Sequence, residues 1–222
     1  MWKSIIYKEF IKTRNAGAII IIAFFGIGIY SFMKIYESIR QAGIVAVWEE
    51  AVQLDHGMFS HFEYLPLMAG ILLAITQFVP ELHFKRLKLT LHLPMKESNI
   101  LLIMLLYGIS VIAVLLTVTS LILLWGISSN FPTEIVRDVF QQLTQWFLAA
   151  PAAYLMTAWI CLEPRWKQRI MNIIPAFLFL SLFLINAKSG AFRYFDFFLI
   201  VALIVSFFFP FYSTARFKEG IQ

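Results

Sequence analysis

Six stretches of this chain run on without a single Asp, Glu, Lys or Arg, and no other feature narrows its possible folds as far. They are Asn15 to Met33, Tyr64 to Pro80, Ser98 to Thr133, Val139 to Leu162, Ile170 to Ala187 and Phe197 to Ala215. A bilayer's hydrocarbon core takes roughly 20 apolar residues as helix, and a charge at helix centre costs about 2.5 to 3.5 kcal/mol on insertion scales. Each stretch therefore reads as a membrane span, the third trimmed to Asn99 to Trp125 with loop beyond it. Composition agrees: 60% of the 222 residues are hydrophobic and 14% charged, against about half and about a quarter in soluble domains. An ordinary cytosolic globule is excluded. So is a disordered chain, given 17% aromatics and a mean hydropathy of +0.79. The one cysteine, Cys161, permits neither an intrachain disulfide nor a four-cysteine zinc site.

Orientation follows from Lys and Arg, which are retained on the cytoplasmic side. Lys3, Lys8, Lys12, Arg14, Lys85, Arg86, Lys88, Lys96, Arg165, Lys167, Arg169, Arg216 and Lys218 share one side, and only Lys34, Arg40, Arg137, Lys188 and Arg193 take the other. Both termini are thus expected in the cytoplasm. The net charge of +5 then reflects topology and attraction to anionic headgroups, and no nucleic-acid partner is expected. Span one is followed by Lys34-Ile35-Tyr36-Glu37-Ser38, which lacks a small-x-small cleavage pattern, so it reads as a retained span.

Within the spans, Pro151, Pro175 and Pro210 can kink their helices. Gly70 with Ala74, and Ala149 with Ala153, carry small residues at four-residue spacing that let helices approach closely. Trp125 and Trp146 fall near the outer boundary and Trp2 and Trp166 near the inner one, where indoles anchor. No ionisable group lies at a span centre. Gln77, Thr117, Thr119, Thr144, Gln145, Asn172 and Asn186 are the strongest polar groups at depth, and each is expected to bond to a neighbouring helix. Ion-coupled transport is therefore disfavoured. No G-x-x-x-x-G-K-[ST] loop occurs, so any ATPase is a separate chain.

No enzyme pattern in the chain is complete. Glu49-Glu50 is followed at position 54 by Leu where an E-E-x-x-x-R protease pair has Arg, and Gly126-Ile127-Ser128-Ser129 runs into Asn130 and completes no nucleophile elbow. The histidines divide between the two sides, His56 and His61 outside and His83 and His92 inside. Asp55, His56, His61 and Glu63 form a loose outer carboxylate and imidazole set, better read as polar loop than as a metal site. No catalytic, cofactor or metal residues are expected.

Two cytoplasmic segments carry more information. In residues 1–14, Trp2, Ile5, Ile6 and Phe10 share one helical arc with Lys8 and Lys12 off it, as in an interfacial helix. Glu9 falls inside the apolar arc, either at its wet end or against a protein partner. Residues 81–98 contain an alternating run, Leu87 to Leu93, that by period alone suggests a strand. A lone strand has no sheet to join here, so a short helix docked on another protein is at least as good a reading. Leu87, Leu89, Leu91 and Leu93 on a cytoplasmic face need a partner to bury them.

The start Lys8-Glu9-Phe10-Ile11-Lys12-Thr13-Arg14, six spans with both termini inside, and Glu81 followed by Thr90-Leu91-His92-Leu93-Pro94-Met95-Lys96-Glu97-Ser98-Asn99-Ile100-Leu101 leading into span three together resemble the membrane subunit of type 2, exporter-type ABC transporters. The layout covers the whole chain and the motifs these two segments. A glycine usual before the Thr-Leu element is absent, and Ile103-Met104 stands where the family has Gly-Lys. The resemblance implies an all-α, six-span permease domain over residues 1–222. Residues 1–14 would be an interfacial helix, 15–80 spans one and two with an outer loop at 34–63, 81–98 a segment with a short coupling helix, and 99–222 spans three to six. It also implies that Glu9, Glu81, Leu87, Leu89, Leu91, Leu93 and Pro94 contact the ATPase or transmit its motion. Its implied partners are a separate ABC ATPase chain, a second permease subunit in a homodimer or heterodimer, and the lipid of a bacterial cytoplasmic (inner) membrane. Rival readings are the substrate-binding membrane subunit of a vitamin uptake system, a membrane-embedded enzyme, and a non-transporting assembly or immunity protein.

Overall fold

A computed structural model describes residues 2–45, 47, 59–83, 96–129, 131–185 and 195–218. Every element among them is helical. The order is α1 (Trp2–Ala42), a 3-10 turn (Ser60–Phe62), α2 (Leu65–His83), α3 (Glu97–Ser128), α4 (Thr133–Leu162), α5 (Trp166–Ser181), a 3-10 turn (Leu182–Leu184), α6 (Phe195–Ser206) and α7 (Phe209–Lys218). Six segments are long and apolar enough to cross a membrane: Trp2–Ala42, Ser60–Leu82, Glu97–Ser128, Thr133–Leu162, Trp166–Leu184 and Phe195–Arg216. This is the multi-pass helical architecture that the charge-free windows predict.

The boundaries differ in instructive ways. No break separates residues 2–14 from the first span: α1 is one helix of 41 residues. Its buried residues, Ile5, Glu9, Thr13, Ala16, Ile20 and Phe24, recur at three- or four-residue steps, with Ser31 two turns further on, and form one stripe facing the bundle. The arc expected at the interface splits accordingly, with Ile5 inside and Trp2, Ile6 and Phe10 exposed. α3 continues to Ser128, past the expected end at Trp125, because nothing between them interrupts a helix. The last span breaks between α6 and α7, where Phe207 and Phe208 turn back onto Ile204 and Val205 through i to i−3 bonds. Pro210 lacks an N–H and cannot continue the ladder there. Pro151 and Pro175 sit inside α4 and α5.

α4 is the central helix, packing on α2, α3, α5, α6 and α7, while α1 lies against α2 and α3. Lipid supplies no hydrophobic drive between helices, so close fit holds them together. The alanine run around Pro151 provides it on two faces. Ala150, with Leu143, Trp146 and Tyr154, joins the core shared with α1 to α3. Ala149, Ala152 and Ala153 meet Ala176 and Leu180 of α5 and Leu199 of α6. Gly70 of α2 lies so near α4 that a β-carbon there would overlap the Ala150 carbonyl oxygen and sit 3.0 Å from the Tyr154 nitrogen. Both small-residue pairs thus pack helices of the same chain. Trp146 is buried in this core and is no interfacial anchor, whereas Trp2, Trp125 and Trp166 are exposed. At the end opposite the N-terminus, Phe24, Phe32, Phe59 and Phe62 stack edge to face at 6.0 to 6.1 Å.

Candidate functional site

The two acids singled out in the sequence meet in space. Glu9 on the buried stripe of α1 and Glu81 in the last turn of α2 are both fully enclosed, and Lys12 lies between them. Its ammonium is 2.7 Å from Glu9 Oε2 and 2.9 Å from Glu81 Oε1, and it donates to the Gln77 carbonyl at 3.2 Å. Lys8 reaches the same Glu81 oxygen at 2.9 Å. Two carboxylates and two ammonium groups thus balance, which is how charge is tolerated where water is scarce. The geometry is local in origin: Lys8, Glu9 and Lys12 occupy adjacent turns of one helix, so a single carboxylate on α2 can engage both lysines. Glu9 Oε1 has no hydrogen-bond partner among the described residues.

From this cluster a chain of hydrogen bonds enters the bundle. Gln77, one turn before Glu81, donates through Nε2 to the Met104 carbonyl of α3 at 2.9 Å and accepts from the Tyr154 hydroxyl of α4 at 2.8 Å. A β-carbon at Gly108 would overlap the Tyr154 ring. The missing side chain is what lets the phenol reach so deep. On the other flank, Thr13 donates to the Glu9 carbonyl or shares a proton with Tyr107 of α3 at 2.8 Å. Four helices are therefore joined at one end by polar contacts that lipid cannot replace.

A second cluster closes the same end around α4, α5 and α7. Glu163, just past the end of α4, is buried, accepts from Ser213 at 2.7 Å and lies 3.6 Å from the Arg216 guanidinium. Arg169 of α5 donates to the carbonyls of Cys161 and Glu163 at 3.1 and 2.8 Å, satisfying the terminal carbonyls of α4.

Of the seven residues assigned to coupling, Glu9 and Glu81 are brought together, and Leu87, Leu89, Leu91, Leu93 and Pro94 lie outside the described residues. Glu9 does not lie at a wet end of the apolar arc: it is buried within the bundle and faces Lys12 of its own helix. Among the polar groups at depth, Gln77 bridges helices as expected, and Gln145 reaches Asp196 of α6 at 3.4 Å. Thr117, Thr119 and Thr144 turn back onto carbonyls of their own helix, and Asn172 accepts from Gln168 one turn away. Asn186 lies outside the described residues. Of the outer carboxylate and imidazole set, Asp55 and His56 do too, and His61 packs edge-on against Tyr30 at 5.0 Å. Among the described residues no three His, Cys, Asp or Glu side chains converge as a metal site would need.

The sequence puts Lys8 and Lys12 off the apolar arc and gives no sign that they pair with buried acids, and Tyr154 sits in an apolar run without signal. The Glu9 and Lys12 pair at i, i+3 was the available clue. No protein-family model, curated protein or solved structure matches the chain.

Proposed function

We propose that this chain is the permease subunit of an ATP-driven, exporter-type ABC transporter of a bacterial cytoplasmic membrane. It would form the substrate pathway as a dimer, keep both termini in the cytoplasm and take its energy from a separate ATPase chain. The observation that carries the reading is the Glu9, Lys12 and Glu81 cluster. Glu81 stands at the root of the segment that holds Leu87 to Pro94, the residues this reading places against the ATPase. A partner that pulls on that segment pulls on Glu81. Glu81 is tied to α1 through Lys8 and Lys12, and its neighbour Gln77 is tied to α3 and α4. Displacement at the root therefore moves several helices together or breaks buried ion pairs, and moving them together costs less. That is the mechanical property a coupling site requires.

The test is co-purification of the tagged chain with its ATPase from native membranes. Aspartate at both Leu89 and Leu91 should abolish the association while leaving membrane insertion intact, and the purified chain alone should hydrolyse no ATP. Association that survives both substitutions removes the coupling assignment. Turnover by the pure chain would place the energy source in this polypeptide and end the two-chain reading.

A further inference from the structure

A cleft of about 370 Å³ opens between α1 and α3, closed at the back by α2 and α4. Gly17, Ile21 and Phe25 form one wall and Ser110, Val114 and Val118 the other. The volume lies within the range of roughly 300 to 1,000 Å³ found for sites that hold small organic ligands. It is more than twice that of an apolar cavity of about 150 Å³ that stays dry and admits benzene. Only Ser110 and Thr119 bring polar side chains to it. Both donate back to carbonyls of their own helix, Tyr107 and Leu115, at 2.7 and 2.8 Å. The cleft therefore offers no hydroxyl donor to a polar ligand, and its walls suit hydrocarbon.

Its length and its end identify which hydrocarbon. From Gly17 to Phe25 is eight helical steps, about 12 Å, close to the depth of one leaflet, which is half of a core about 30 Å thick. Arg14 lies on the same stripe of α1, three residues before Gly17 and seven before Ile21, about one turn beyond the Gly17 end of the cleft and on the side where a headgroup would lie. Arg14 is exposed and no carboxylate among the described residues pairs with it. A headgroup phosphate would complement it. We propose that the cleft between α1 and α3 holds one acyl chain of an anionic phospholipid whose phosphate sits at Arg14. The proposal needs only the membrane-spanning fold and is independent of the transport reading.

Native mass spectrometry of the detergent-purified full chain, titrated with dioleoylphosphatidylglycerol or dioleoylphosphatidylcholine, reads this directly. One phosphatidylglycerol should bind about fivefold more tightly than phosphatidylcholine, the factor one arginine near the headgroup plane supplies. Arg14→Gln should bring the two lipids level. At Gly17 nothing lies within 4 Å of an added β-carbon, so Gly17→Leu extends into the cleft and should remove binding of both lipids, with Gly17→Ala intermediate and the helical signal unchanged. Equal affinity for the two lipids in the parent chain, or undiminished binding by folded Gly17→Leu, overturns the proposal. So does efficient crosslinking of Val114→Cys between two chains in native membranes, in a Cys161→Ala background, because the cleft would then be an interface between copies.

Discussion

Replacing Lys12 with methionine tests whether the buried cluster is held by balance of charge. The side chain keeps its length and apolar stem but loses an ammonium that lies 2.7 Å from Glu9, 2.9 Å from Glu81 and 3.2 Å from the Gln77 carbonyl. At an effective dielectric of about 20, unit charges 2.7 Å apart attract by about 6 kcal/mol, and desolvation of both groups offsets much of that. What survives is the penalty of stranding a charge: Lys12→Met leaves two enclosed carboxylates facing Lys8 alone, which should cost about 3 to 5 kcal/mol. Removing the stranded partner as well should undo most of the loss. In Lys12→Met with Glu9→Leu, Glu81 keeps Lys8 at 2.9 Å as a one-to-one pair, and an apolar pair stands where an ionic one stood. Reversible unfolding in mixed detergent and SDS micelles, followed by far-ultraviolet circular dichroism, measures both variants and Glu9→Leu alone in one thermodynamic cycle. A loss below about 1 kcal/mol for Lys12→Met, or a double variant that costs the sum of the two single ones, would refute the reasoning.

Two further outcomes follow from the same packing. Gly70→Leu should destabilise the chain by about 1 to 3 kcal/mol or more, because its side chain enters space held by the Ala150 backbone; an unfolding midpoint equal to the parent's would show that α2 and α4 are not so close. Tyr154→Phe should cost about 1 to 3 kcal/mol, since the Gln77 amide oxygen loses its buried donor, and the same unfolding assay should show the loss fall sharply when Gln77→Leu is added.

The membrane fold was legible because lipid imposes a simple rule on the sequence: charge is excluded over about 20 residues, and the six windows obey it. Element ends were harder. Nothing in residues 1–14 distinguishes a helix lying at the interface from one that continues into the span, since both want the same amphipathic spacing. Contacts with α2 and α3 decide which arc faces inward, and they involve Glu81, 72 residues after Glu9, and Tyr107, further still. Pro210 gave its break away through its missing N–H, and Gly70 its close approach through its missing β-carbon. Tyr154 and Glu163 were illegible because their meaning lies entirely in what stands opposite them. An apolar run hides the one phenol that reaches Gln77, and a basic loop hides the acid that Ser213 and Arg216 enclose.

At 1.5 Å per residue, the 41 residues of α1 span about 62 Å, roughly twice the oily thickness of a membrane. Such a rod must stand clear of the bilayer, and it has no joint within it. Its foot is clasped by Lys8, Lys12 and Glu81, so a swing of about 5° there would carry the far tip, about 45 Å away, by about 4 Å. In the proposed transporter the helix would work as an oar through the membrane, with the ion cluster at the handle and the blade on the opposite side.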